Sequence, residues 1–263
     1  MVKAILQITP GRPCLSTLLT TESYSTYTVT VLAFTVKDGV PTLAANFTTA
    51  QDVPDHPPTN VTAFNTSSTS INVTWQPIPP DHTHGIILTY QVKYWRHDKP
   101  NDNVSNVTVN STELQVELKG LGKYKEYSIQ VAGSTVVGLG NYSEAVFVRT
   151  EQDVPDEPPV NIRAKGIEPT SLKVHWSPVP YETINGIGIG YKLILIHING
   201  TILRNFTLNI SALTIDITDL EIWTNYTIKM TAFTVMGDGP WSDFIKEDTD
   251  EEGKPAAHHL NQA

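Results

Sequence analysis

The 263-residue chain is short of cysteine, of cationic residues and of long apolar runs. Its one cysteine, Cys14, allows no internal disulfide and no cysteine-ligated zinc finger or iron–sulfur cluster. Eighteen Lys and Arg stand against 27 Asp and Glu, a net charge of -9. So acidic a chain repels phosphate backbones, and no nucleic-acid partner is expected. No apolar run approaches the ~20 residues that span a bilayer, so no membrane insertion by this segment is expected. A sustained 3.6-residue apolar stripe is missing too, which argues against long amphipathic helices. With 40% apolar and 17% charged residues, the chain has material for packed cores and is no disordered acidic tail.

Asparagine is the residue in surplus. Asn-x-Ser/Thr occurs at Asn46, Asn60, Asn65, Asn72, Asn103, Asn106, Asn110, Asn141, Asn199, Asn205, Asn209 and Asn225, twelve of sixteen asparagines, never with Pro in the middle. Ser and Thr number 48, so chance predicts about three such sites. The excess points to N-glycan acceptors on a protein of the secretory pathway, extracellular or at the cell surface. Met1 to Ile8 is too short an apolar stretch for a signal peptide, and Pro10 and Pro13 follow it. The chain therefore reads as a piece of something longer.

The chain also repeats itself. Thr49-Ala50-Gln51-Asp52-Val53-Pro54-Asp55-His56-Pro57-Pro58 returns 101 residues later as Thr150-Glu151-Gln152-Asp153-Val154-Pro155-Asp156-Glu157-Pro158-Pro159. After each copy the same order follows: Ile71, Val73 and Trp75 alternate with polar residues, as do Leu172, Val174 and Trp176. Period-two alternation means strands with one face on a core and one in water. Short strands separated by turn signals predict an all-β, antiparallel sandwich for each copy.

The copies resemble fibronectin type III domains, on specific residues. Trp75 and Trp176 end the second strand, each with a proline two residues on. Tyr90 and Tyr191 open alternating third strands. Leu121-x-x-Tyr124-x-x-Tyr127 and Leu220-x-x-Trp223-x-x-Tyr226 match the tyrosine corner, whose hydroxyl bonds back to the upstream chain. The resemblance covers 54 to about 249. It implies a structural core of Trp75, Tyr90, Leu121, Tyr127, Trp176, Tyr191, Leu220 and Tyr226, in tandem immunoglobulin-like sandwiches strung as an extended rod. The expected division is an N-terminal segment with a truncated domain over 1–50, complete domains over 54–150 and 155–249, and a tail over 250–263. In the truncated part, Tyr24 to Ala33 aligns with the strand of the tyrosine corner, and Asp38-Gly39 with its turn, giving only the last two strands. Upstream of Thr21 there is no Trp and no sign of the second or third strand. Two strands cannot close a sandwich, so less order is expected there than in the complete repeats.

Few residues suggest chemistry. Gly186, Gly188 and Gly190 superficially resemble a dinucleotide-binding run, but they precede a strand and no helix, so an inter-strand loop is expected. Asp81, His82 and His84 offer three metal ligands in a Pro-rich loop, yet the sequence identifies no fourth, so a solvated loop and no metal are expected. Asp52, Asp55, Asp153, Asp156 and Glu157 cluster in the junctions without the defined loop of six to eight oxygens that calcium needs. No Gly-x-Ser-x-Gly elbow occurs and Cys14 has no His context. No enzyme and no cofactor are expected.

The expected role is that of an extracellular spacer and protein-binding segment in the ectodomain of an adhesion molecule or receptor, as the family's tandem arrays serve in neural adhesion molecules, receptor phosphatases and sidekick-like proteins. Its parent would be a single-pass membrane protein. Glycans would mask the sheets, and end loops such as 136–142 and 236–241 would meet a protein ligand or a homophilic partner. Arg-Gly-Asp is absent, which removes integrin binding by that motif. Gly239-Pro240-Trp241-Ser242-Asp243 lacks the second Trp-Ser of cytokine receptors. Two other readings remain: a spacer module of a secreted polysaccharide-degrading enzyme, and a fragment from an incomplete gene model.

Overall fold

The computed structural model describes residues 2–8, 21–34, 38–41, 43–100, 102 and 104–249. Cys14 and the 250–263 tail lie outside them. Strands dominate, and among the described residues the one helical turn is a 3-10 helix at Pro80–His82. By its internal contacts the chain divides into two compact units. Residues 1–65, 70–119 and 126–149 form one, and 66–69, 120–125 and 150–263 the other.

The first segment contributes β1 (Val2–Ile8), β2 (Thr26–Phe34), β3 (Asp38–Pro41) and β4 (Ala45–Thr48). β3 and β4 pair antiparallel with β2. Only the last two strands of a domain are expected in this segment, yet β1 lies parallel to β2, from Val2 opposite Tyr27 to Ile8 opposite Ala33. The physical reason is the open edge: β2 without a partner on that side would leave a row of backbone donors and acceptors unpaired. These four strands make a single sheet.

The first complete repeat runs β5 (Thr59–Ser67), β6 (Ser70–Gln76), β7 (Thr89–Arg96), β8 (Ser105–Asn110), β9 (Gln115–Lys119), β10 (Glu126–Ser134) and β11 (Val146–Arg149). Its two sheets are ordered β5-β6-β9 and β11-β10-β7-β8. The second runs β12 (Val160–Glu168), β13 (Ser171–Ser177), β14 (Gly188–His197), β15 (Ile202–Asn209), β16 (Thr214–Ile217), β17 (Asn225–Thr234), β18 (Gly237–Asp238) and β19 (Ile245–Asp248). Its sheets, β12-β13-β16 and β15-β14-β17-β18 with β19 on β17, reproduce the same order. The alternation explains both. In β13, Leu172, Val174 and Trp176 point inward while Lys173 and His175 are exposed. Complete burial of a Leu- or Val-sized side chain contributes roughly 1.5–3 kcal/mol, so the inward row of each strand dictates its register.

All eight aromatic and leucine positions that the resemblance puts in the core are buried. Trp75 meets Tyr90 edge-on with ring centroids 5.6 Å apart, and Trp176 meets Tyr191 at 5.5 Å. Such edge contacts add about 0.5–1.5 kcal/mol beyond area burial. The glycine run differs slightly from expectation: Gly188 and Gly190 lie inside β14, not in the loop before it. A Cβ on Gly190 would sit 2.0 Å from the Leu208 carbonyl oxygen, so close strand approach accounts for that glycine.

Candidate functional site

Each repeat builds the same frame around its tyrosine corner. The Glu221 amide donates to the Tyr226 hydroxyl at 2.9 Å, and in the first segment the Glu22 amide donates to the Tyr27 hydroxyl at 2.7 Å. Tyr24, Tyr124 and Trp223 share a left-handed backbone, with φ of 49°, 52° and 50°. A threonine closes each corner: the hydroxyls of Thr49, Thr150 and Thr249 accept from the amides of Ser25, Lys125 and Thr224 at 2.9–3.0 Å. Those hydroxyls then donate to the carbonyls of Glu22, Gly122 and Glu221 at 2.7–2.8 Å. The first segment therefore shares this corner geometry with the two sandwiches.

The junctions repeat as closely. Gln51 accepts from the Ile86 amide and Gln152 from the Ile187 amide, both at 2.8 Å. Thr135 donates to the Asp52 carbonyl and Thr234 to the Asp153 carbonyl, both at 2.9 Å. Within the second compact unit, Lys123 lies 2.9 Å from Asp156 and 3.3 Å from Asp153. The Asp153 carboxyl is held below the usual carboxylate range, first by the Ser68 hydroxyl, then by the Val154 amide and by Lys123. Asp156 feels desolvation that would raise its pKa, but bonds from Asn185 and Lys123 outweigh it and hold it low. The Asp156 bond raises Lys123 in turn. One ammonium thus already pairs with both of these carboxylates. In the first compact unit, His82 and His84 turn toward Asp55 rather than Asp81, and His56 joins them.

The glycan candidates are well placed for a glycosyltransferase. Asn103 lies outside the described residues. Of the other eleven, ten are exposed and Asn72, on the central strand β6, is half-buried. Seven sit on edge strands: Asn46 on β4, Asn60 and Asn65 on β5, Asn106 and Asn110 on β8, Asn205 and Asn209 on β15. Asn141 and Asn199 are on loops, and Asn225 opens β17. Among the described asparagines, the one that is buried, Asn185 at 2%, is not in the acceptor pattern.

Exposed apolar side chains are spread over both repeats, Phe64 and Ile202 on edge strands among them, and include the loops before the last strands. Val136 and Val137 are 70% and 53% exposed, and Val235 and Met236 are 65% and 57% exposed. The pairing of Gly188 with Thr234 brings the exposed Ile187 and Ile189 beside the second of these loops. Both loops have the same shape, because Thr135 and Thr234 accept from the Val137 and Met236 amides at 3.2 Å. The 136–142 loop is not bare, however: it carries the acceptor Asn141, whose Nδ2 donates to the Asp55 carbonyl at 2.8 Å. Residues 235–241 carry no acceptor.

The fibronectin type III domain model matches residues 56–149 and 157–248, both sandwiches from first strand to last. The chain belongs to the fibronectin type III family. Among curated proteins it is 33% identical over 198 residues to human Cell adhesion molecule DSCAM, covering 75% of this chain and 10% of that protein. It is 34% identical over 207 residues to Tyrosine-protein phosphatase Lar of Drosophila melanogaster, again 75% and 10%. Human Protein sidekick-1 matches at 34% over 148 residues, 56% and 7%. The chain spans about a tenth of the length of these relatives. Among its described residues no helix is long and apolar enough to cross a membrane.

Two features of these fibronectin type III repeats escaped the reading of the sequence. The junction locks of Gln51, Thr135, Gln152 and Thr234 were missed, although Thr, Gln and Asp recur at fixed places in the two junction copies. Polar residues that recur in a linker signal hydrogen bonds that the linker must make. The approach of His56 to His82 was also missed. No local signal announces it, since 26 positions separate them and only the fold brings them together.

Proposed function

We propose that this chain is an extracellular, non-catalytic segment of a cell-surface adhesion molecule or receptor ectodomain. It acts as a spacer between flanking parts and as a surface for a protein ligand or a second copy of itself. Its division follows the repeats: a truncated domain within 1–50, complete domains over 54–150 and 155–249, and a tail from 250. The parent protein is a single-pass membrane protein. One observation carries the reading: glycan acceptors occupy the sheet edges while apolar side chains stay exposed on 235–241. Glycans on edge strands prevent unspecific strand-to-strand pairing and leave the end loop as the free protein-binding surface. Kinship with DSCAM, sidekick-1 and Lar supports the adhesion and receptor setting.

The test uses the full chain secreted from mammalian cells and coupled to beads. The beads are expected to cluster with one another or to bind a cell-surface protein that protease treatment of the cells removes. Val235→Asp with Met236→Asp should weaken either interaction by at least tenfold, the penalty of placing charge in an apolar contact. Capture by insoluble polysaccharide, undiminished by the loop variant, would instead make the chain an accessory module of a secreted carbohydrate-active enzyme.

A further inference from the structure

We propose that Asp55, His56, His82 and His84 form a zinc site in the junction that leads into the first complete sandwich. Three of the donors already converge, and His84 faces the other carboxylate oxygen of Asp55. Asp55 Oδ1 lies 2.9 Å from His56 Nδ1 and 3.1 Å from His82 Nδ1, and Asp55 Oδ2 lies 3.6 Å from His84 Nε2. Ligand atoms of Asp55, His56 and His82 all fall within 4.8 Å of one another. A tetrahedral zinc with bonds of 2.0–2.1 Å has edges of about 3.3–3.4 Å, close to these separations, and the His56 and His82 rings, now 3.6 Å apart between centroids, would swing apart to bind it. Three imidazoles and a carboxylate are zinc donors; calcium would want six to eight oxygens.

The backbone fixes the ligands before any ion arrives. The Asp55 amide donates to the His82 carbonyl at 3.3 Å, and the Asp52 amide to the His84 carbonyl at 2.8 Å. Asn141 anchors the Asp55 carbonyl from another side. His82 belongs to the 3-10 turn that Pro79 and Pro80 initiate, and His84 stands in a left-handed conformation at φ 49°.

The second junction serves as an internal control. There the same backbone bonds recur at 2.8 Å, Asp156 amide to Thr183 carbonyl and Asp153 amide to Asn185 carbonyl. Yet Glu157, Thr183 and Asn185 stand where His56, His82 and His84 stand, and the fold forms equally well. The three histidines are therefore not demanded by the backbone. Asp156 is neutralised by Lys123, whose counterpart in the first segment is Ser23. Asp55 thus lacks the ammonium that its counterpart has, and its ion-pair partners among the described residues are histidines. A cleft of about 740 Å³, with Glu22 and Ser23 on its opposite wall, gives an ion access. Bound zinc would take the place that Lys123 fills in the next junction and tie Asp55 and His56 to the 82–84 loop.

The experiment is a calorimetric titration of the full, chelator-treated chain with zinc sulfate at pH 7.4. One zinc per chain is expected, with a Kd of roughly micromolar or below, as tightly preorganised four-ligand sites allow. Cobalt(II) in its place should show the strong visible absorption of a tetrahedral ion. His56→Ala with His82→Ala should weaken binding at least tenfold and abolish that absorption, while circular dichroism stays unchanged because both side chains are solvent-accessible. His84→Asn, the residue that the other junction uses at this left-handed position, provides a second variant compatible with the fold and should weaken binding likewise. His258→Ala with His259→Ala should leave binding intact. Equal zinc affinity in the wild type and in both junction variants, or loss of binding in the tail variant alone, would overturn the site.

Discussion

Tyr226 shows how one atom can matter to a domain. Its ring is 1% exposed within the second core, and its hydroxyl accepts from the Glu221 amide. Tyr226→Phe keeps the ring and strands that amide. The expected loss of stability is about 0.5–1.5 kcal/mol, the net worth of one hydrogen bond whose donor residue, Glu221, is exposed to water. Denaturant unfolding of the full chain checks it through the midpoint, with the slope unchanged. A loss below a few tenths would mean that water replaces the hydroxyl and that the corner is ornamental. Trp176 is a useful contrast. Its indole nitrogen finds no partner in the buried interior, so that side chain contributes through packing and its edge contact with Tyr191.

Among the strands, β2 occupies a different situation from its counterparts β10 and β17. β10 and β17 each belong to a sheet that faces a second sheet, and both bury a continuous inward row. β2 pairs with β1, β3 and β4 in one sheet, and the segment forms no second sheet among its described residues. A hydrogen-bonded ladder with one face lacking a partner sheet opens at lower free energy than one inside a two-layer core. Amides of β2 and β4 are therefore expected to exchange faster than those of β7 and β10 in native-state hydrogen exchange. Equal protection would show that residues 24–50 possess a core of their own and are no truncated domain. The parallel pairing of β1 belongs to this account: it covers an edge without adding a layer.

For the chain as a whole, surface chemistry is set by asparagines more than by charge. The net charge of -9 disfavours polyanions, while ten exposed candidate acceptors would, once glycosylated, give the surface a neutral, hydrated coat. Secreted from mammalian cells, the chain should lose mass on N-glycosidase treatment, each released glycan converting its Asn to Asp. Peptide mapping should find most of the exposed positions converted and Asn72 converted least, because β6 half-buries it between neighbouring strands. An unchanged mass would remove the glycan shield on which the free end loop depends.

Fold class was legible because two-residue alternation, a junction repeated 101 residues on, and Trp and Tyr at fixed places are all local patterns. Each reports which side of a strand meets water, and that is enough to define a two-sheet sandwich. The Asn-x-Ser/Thr pattern likewise named the candidate glycan acceptors, and the net charge argued against nucleic acid. Only the tertiary structure decided the rest. It set β1 along β2, placed seven acceptors on strand edges, and gave Gly190 its reason in the carbonyl of a neighbouring strand. It also brought His56 to His82 around Asp55, whereas Lys123 took the matching place beside Asp156. Edges, close approaches and charge clusters join residues far apart in the chain. A one-dimensional pattern carries no distance between such residues, and the pairing of strands supplies it.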